Sequence, residues 1–167
     1  VNAHAKEHLR RLPLALTLAP DFYLRTPALP APWHLVAGLC TARGLDMADR
    51  LRALRLLAAL RWTRFRLPQD MPLAELLRRH QQTDRLKHFL WHPLCLAALN
   101  TPPEEASAQV FLNVLHNSFG QTRADSDLVL PCANLSQLFP EPAAAFVEQH
   151  GGSVRTNSRV NALARAG

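Results

Sequence analysis

Thirteen prolines are spread through 167 residues, and where they fall limits the fold more than any other feature. Proline has no backbone N–H and a fixed φ, so it breaks a helix from within but fits a first helical turn or an extended connector. Pro13 stops a helix predicted over Ala3 to Leu12, whose Leu9 and Leu12 share a face. Beyond it Leu14, Leu16 and Leu18 alternate with small residues, Pro20-Asp21 turns the chain, and Phe22-Tyr23-Leu24 resumes an extended run. This pattern predicts a short hairpin near residues 14–25. Thr26-Pro27-Ala28-Leu29-Pro30-Ala31-Pro32 is too proline-rich for either regular element and reads as a stiff connector.

From Trp33 to Leu99 the pattern is helical. A first helix runs from Trp33 to Arg43 and ends at Gly44, a residue suited to the position after a helix. Asp46 then caps a long helix, Met47 to Phe65, which Pro68 ends. Asp70 caps a short helix through Pro72 to His80, and Gln82 or Thr83 opens another through Trp91, which Pro93 should kink or break. Thr101-Pro102-Pro103-Glu104 has the form of a capping box with proline at the first helical position, opening Pro102 to Phe119. Ala106, Val110, Phe111, Val114 and Leu115 form its buried stripe, and Gly120 closes it.

The last fifty residues change character. Asp127 to Pro131 reads as a strand edge, Asn134 or Pro142 begins a helix ending at Gly151-Gly152, and Ser153–Thr156 and Ser158–Leu163 alternate like strands. Helix, double glycine and strand are the grammar of an α/β unit. That unit has no glycine-rich turn beside it, and the chain ends read as cut. The expectation is therefore an internal piece of a larger protein.

Composition excludes several classes. With 48% hydrophobic and 19% charged residues the chain is neither disordered nor fibrous. Cys40, Cys95 and Cys132 are an odd number at unpatterned spacing, which points to reduced thiols and a cytoplasmic protein. The longest apolar runs, Leu12 to Pro20 and Phe89 to Leu99, are too short to cross a bilayer, and no signal-peptide pattern precedes them. His88 and His92 stand i, i+4 with Cys95 one turn on, but residue 89 is Phe where a zinc protease needs its Glu, and no second ligand cluster exists. They read as ordinary helical histidines, with no metal. No serine sits in a Gly-x-Ser-x-Gly elbow, and no phosphate loop or Gly-x-Gly-x-x-Gly occurs.

The net charge of +6 comes almost wholly from arginine, since Lys6 and Lys87 are the only lysines. On the long helix Arg50, Arg61 and Arg64 form one stripe, and Arg52, Arg55 and Arg66 form nearly the opposite one. Two apolar faces lie between them: Met47, Leu51, Leu54, Trp62 and Phe65 on one, Leu56, Leu57 and Leu60 on the other. A helix that tracks phosphates gathers its charge on one face, so no nucleic acid is expected. One apolar face serves a core and the other is spare. The spare face over residues 47–66 either packs on a neighbour or lies on an anionic membrane surface. A basic helical nucleic-acid-binding module and a protein-interaction module are the alternatives from other classes.

The segment Trp91-His92-Pro93-Leu94-Cys95-Leu96-Ala97-Ala98-Leu99-Asn100-Thr101-Pro102-Pro103-Glu104-Glu105-Ala106 and its continuation to Phe111 resemble the squalene-associated branch of the FAD-dependent amine oxidase and phytoene desaturase superfamily. That branch includes the hydroxysqualene dehydroxylases of hopanoid biosynthesis. Leu29-Pro30-Ala31-Pro32, Ser126 to Pro131, Leu135 to Ala143 and Gly151-Gly152 add to the likeness, which covers nearly the whole chain. Pro131-Cys132-Ala133-Asn134 departs from the Pro-x-Gly-Gly-like stretch usual there. The resemblance implies a mainly α chain: a helical substrate-binding domain over 1–125 with its short hairpin, and a partial α/β segment, 126–167, returning into a split FAD-binding domain. It implies FAD as cofactor of the whole protein, with Val160 in the strand near its adenine end, and catalytic residues unassigned. The implied reaction is hydride transfer to or from a long isoprenoid, either hydroxysqualene to squalene or a related desaturation. A hydrocarbon offers only apolar surface to recognise, so Trp91, Leu94, Leu96, Phe111 and Leu115 are the candidate substrate wall, with Asn100, Asn113 and His116 as polar contacts. The implied partners are the isoprenoid lipid, the remaining FAD domain and the surface of the inner membrane.

Overall fold

The computed structural model describes residues 8–119 and 122–162. The chain is mainly α, with two small two-stranded sheets. It divides into two compact units, one formed by residues 13–128 and the other by residues 1–12 with 129–167.

In the first unit Ala15–Leu18 (β2) pairs antiparallel with Phe22–Arg25 (β3), with Leu16 opposite Leu24 and Leu18 opposite Phe22. Alternation places Phe22 and Leu24 in the core and leaves Tyr23 and Arg25 exposed. The backbone of Tyr23 also exchanges two hydrogen bonds with Arg43. Helix α1, Trp33–Thr41, stops short of the predicted Arg43. Gly44 is needed for a different reason from the predicted helix stop: at φ +86° a Cβ there would lie 2.1 Å from the Asp21 carbonyl oxygen.

Helix α2, Met47–Trp62, begins with a reciprocal capping box, in which Asp46 Oδ1 accepts from the Asp49 N–H and Asp49 Oδ2 accepts from the Asp46 N–H. The helix was expected to reach Phe65 but ends three residues earlier. Arg64 and Phe65 take left-handed backbone angles, and Phe65 swings into the core. Gln109 holds this turn at both ends, its Oε1 accepting from the Leu67 N–H and its Nε2 donating to the Phe65 carbonyl. Arg64 and Arg66 therefore do not belong to the helical stripes counted from the sequence.

Helix α3, Leu73–Arg79, buries Leu73, Leu76 and Leu77. Its predicted cap, Asp70, serves another helix. Asp70 accepts from the Ser107 hydroxyl at 2.6 Å and from the Gln109 N–H at 3.0 Å, at the start of α6, Ala108–Phe119. These bonds hold its carboxyl below the usual range. The capping box predicted at Thr101 does not form. The Thr101 hydroxyl donates back to the Leu99 carbonyl, residues 102–106 make turns, and α6 opens six residues later than expected. On α6 the buried residues are Ala108, Phe111, Leu112 and Leu115, whereas Val110 of the predicted stripe is exposed. Of the rest of that stripe Ala106, Phe111 and Leu115 are buried and Val114 is half-buried, so the face stands apart from Val110, with Leu112 added to it. Gly120, the predicted stop, lies outside the described residues.

Between them Thr83 caps α4, Asp84–Leu86, which widens into a π-helical segment, Lys87–Trp91, and continues as α5, His92–Leu99. Of the kink or break expected at Pro93, a break does not occur: the chain runs on through a widened turn, with the His92 N–H reaching the Lys87 carbonyl. Asn100 ends α5 in the left-handed conformation.

In the second unit Leu9–Leu12 (β1), predicted as helix, is a strand paired with Leu128–Pro131 (β4), and the Cys132 N–H donates to the His8 carbonyl. The helical spacing of Leu9 and Leu12 was outweighed by a strand partner far away in sequence. Residues 3–7 of that prediction lie outside the described residues. Asn134 caps α7, Leu135–Leu138, and α8 spans Pro140–Gln149. The predicted strands at 153–156 and 158–163 do not form within 153–162, where no ladder partner is present among the described residues. Leu163 lies outside them.

Gln82 ties the core of the first unit together. Its Oε1 accepts from the Trp91 indole N–H at 2.8 Å, and its Nε2 donates to the Arg52 and His80 carbonyls, all with the side chain buried. Gln82→Ala leaves the buried indole N–H and the Arg52 carbonyl without partners. A loss of about 2–3 kcal/mol of stability, read from the urea midpoint, is expected.

Candidate functional site

The hairpin sits over α1, α2 and the π segment in such a way that leucines from separate elements face one another without filling the space. Leu14, Leu16 and Leu24 come from the hairpin region, Leu35 and Leu39 from α1, Leu57 from α2, Leu90 and Trp91 from the π segment, Leu94 from α5, and Leu115 and Phe119 from α6. They enclose a cavity of about 40 Å³ lined only by apolar side chains. Leu35, Leu57 and Phe119 also border a second, larger recess of about 230 Å³ between α1 and α2, completed by Trp33, Val36, Leu54, Ala58, Phe65 and Arg61. The two recesses share Leu35, Leu57 and Phe119 as lining, and side by side they make up an apolar groove with a small inner part and a larger outer part. A dry cavity of about 150 Å³ accommodates benzene, so the outer recess is of the size for a short branched hydrocarbon stretch.

Of the side chains that the sequence offered as a substrate wall, Trp91, Leu94 and Leu115 line the inner cavity. Phe111 is fully buried in the core and borders neither recess. Leu96 points away from the core and is half exposed, and Asn100 is the left-handed cap of α5. Asn113 accepts from the Gln109 amide, and His116 packs edge-on against Phe65. The hairpin leucines and those of α1 were not anticipated as lining, although the Leu14–Leu18 alternation already demanded a covering layer.

The spare apolar face of α2 is real. Leu56 and Leu60 are buried, while Met47 is 74% exposed, Trp62 91% exposed and Leu51 half exposed. Leu54 and Ala58 lie between them on the same face and line the outer recess, so the groove opens on the exposed side of the helix. Phe65, counted with this face from the sequence, is instead 7% exposed because the helix ends before it.

Beside the groove, on α1, His34 is fully buried. The Ser126 hydroxyl donates to the Ser118 carbonyl at 2.9 Å, so His34 Nε2 donates to Ser126 Oγ at 2.8 Å, and its Nδ1 has no hydrogen-bond partner among the described residues. Burial pushes the His34 imidazole below its ordinary value, with Arg123 adding to the effect and the Pro30 carbonyl and Asp127 opposing it. Cys95 is buried as well, and its thiol donates to the Thr101 carbonyl; burial, then Glu104, raises its pKa. Among the described residues no group of His, Cys, Asp and Glu is arranged to hold a metal ion.

Val160, assigned to the flavin by resemblance, is 71% exposed and lies in unpaired chain. Gly152 follows α8 closely enough that a Cβ there would meet Val147 at 2.6 Å, so its small size serves the helix end. The described residues do not form a dinucleotide cradle. No helix among them is long and apolar enough to cross a membrane. No protein-family model and no curated protein matches the chain.

The His34 imidazole makes stability depend on pH with a definite sign. Its folded pKa lies below that of a free histidine, so the unfolded chain binds the proton more readily. Stability is fully kept above that value and falls as pH drops below it towards the folded pKa. Urea midpoints at pH 7 and pH 5 should therefore differ, and His34→Gln, which cannot titrate, should flatten the difference.

Proposed function

We propose that this chain is the isoprenoid-holding helical part of an FAD-dependent oxidoreductase acting on a squalene-type lipid, by removal of an allylic hydroxyl or by desaturation, at the cytoplasmic surface of the inner membrane. The observation that carries this reading is the groove lined by Leu, Val, Phe and Trp and reaching Trp91 and Leu94, both within the segment that resembles the squalene-associated flavoenzymes. Apolar burial, at about 25 cal/mol per Å², is the only recognition open to a hydrocarbon, and the groove's lining is apolar apart from Arg61 in the outer recess. The flavin itself would be held by other parts of the protein. Leu135, Phe139, Phe146 and Val160, all exposed in the second unit, are the apolar surface against which such a domain would close. The distribution of arginine gives no support to a nucleic-acid module: Arg50 donates to the Ala42 carbonyl and Arg52 to the Gln81 carbonyl, so two of the six bind the fold itself.

Squalene delivered from cyclodextrin should change the intrinsic tryptophan fluorescence saturably. Ala58→Phe, at an exposed position in the outer recess, should weaken this at least about tenfold while leaving the urea midpoint unchanged. An unsaturable signal, or equal affinity in the variant, would sink the reading.

The exposed face of α2 makes a separate prediction. The chain should float with vesicles containing phosphatidylglycerol, and the pair Leu51→Ser and Trp62→Ser should reduce the bound fraction several-fold without unfolding the protein. Equal flotation of the variant would remove the membrane contact.

A further inference from the structure

Where the apolar groove reaches the end of α2, it adjoins a polar recess. Arg61, Arg64, Phe65 and His116 surround it, and Arg61 and Phe65 border the groove as well. Both arginines are exposed, and neither guanidinium has a hydrogen-bond or ion-pair partner among the described residues. A wholly hydrocarbon ligand gives two unpaired guanidinium groups and an imidazole nothing to bind. We infer that the groove takes a single-chain isoprenoid lipid whose head is a phosphate or diphosphate ester, its chain among Leu54, Leu57 and Phe119 and its head between Arg61, Arg64 and His116. This inference rests on the groove being an isoprenoid site.

Three features support that occupant. Guanidinium groups pair with phosphate oxygens through two parallel N–H donors, and two arginines with a histidine match the several oxygens of a phosphate ester. Their spacing is fixed by backbone that only a well-held turn tolerates, since Arg64 at φ +52° and Phe65 at φ +57° are both left-handed without being glycine. Gln109 clamps that turn, so the strain is confined to the groove mouth. The usual objection to an anion at a helix C-terminus is the repulsion of free carbonyls. Here that repulsion is reduced, because the Ala59, Leu60, Arg61 and Thr63 carbonyls accept backbone N–H bonds, and Leu60 accepts the Thr63 hydroxyl too.

Calorimetric titration of the chain with farnesyl diphosphate, farnesol and inorganic diphosphate separates the parts. Farnesyl diphosphate is expected to bind at least about tenfold tighter than farnesol, with the difference shrinking as salt rises. In the variant Arg64→Asn, which keeps a residue tolerant of the left-handed backbone and does not line the groove, farnesyl diphosphate should fall several-fold towards the level of farnesol and farnesol should be unchanged. Equal binding of both ligands by the unaltered chain overturns the head site and leaves the groove standing. Failure of both to bind overturns the groove reading as well. Inorganic diphosphate binding as tightly as farnesyl diphosphate, or arginine-dependent binding to phosphatidylglycerol vesicles without any to farnesyl diphosphate, also overturns the inference.

Discussion

The bond from the Trp91 indole N–H to Gln82 is the constraint on which the first unit depends. Trp91 is the largest fully buried side chain, and an indole can be buried without penalty only if its single N–H finds an acceptor. Gln82 supplies it while spending its own amide on the Arg52 and His80 carbonyls, so one side chain binds the π segment to α2 and to the loop after α3. A residue away, the Thr83 hydroxyl donates to Asp49 at 2.6 Å, and Asp49 completes the capping box that starts α2. These bonds fix the indole plane, and that plane is one wall of the inner cavity. A core of leucines alone would have collapsed onto the space, because nothing in dispersion forces specifies a void.

Two local irregularities then shape the groove at its ends. The π turn just before Pro93 sets Leu90, Trp91 and Leu94 at a spacing that a regular helix would not give. The left-handed turn at Arg64 and Phe65 cuts α2 short and folds Phe65 beneath the recess that a longer helix would have carried past. Each breaks a rule of regular structure and each is held by specific bonds. Deviations of that kind gather where a fold keeps a space open, and here both border the same apolar channel.

The elements themselves were largely written in local chemistry. Proline positions and Leu alternation placed the hairpin, Asp46 marked the start of α2, and 3.6-residue spacing separated its buried face, Leu56 and Leu60, from the exposed one. What local chemistry could not show was where a cap or a strand would find its partner. Asp70 looked like the start of the helix beside it, yet its carboxylate reaches thirty-seven residues along the chain to Ser107. Leu9 and Leu12 kept helical spacing but paired as a strand with β4. The groove had the same problem: Trp91, Leu94 and Leu115 stood out within a helical stretch, but the hairpin and α1 leucines that close the wall become neighbours only when the chain is folded. His34 gave no periodic signal, and its bond spans ninety-two positions to Ser126.

The position of the groove on the exposed side of α2 bears on how a lipid could enter. Leu54 and Ala58 line the recess, Met47 and Leu51 continue the same stripe outward, and Trp62 stands at its far end. A water-insoluble chain crossing from a bilayer to a buried cavity would lose its apolar surroundings along any polar path, at about 25 cal/mol per Å² newly exposed. The exposed stripe from Met47 keeps an apolar surface as far as the outer recess, where Leu57 borders both that recess and the inner cavity. The arginines at the end of the stripe lie at the level where a head group would stay in water while its chain moves inward. One helix thus carries both apolar faces: the inner, with Leu56 and Leu60, is buried in the core, and the outer, with Met47, Leu51 and Trp62, is exposed beside the recess that Leu54 and Ala58 line.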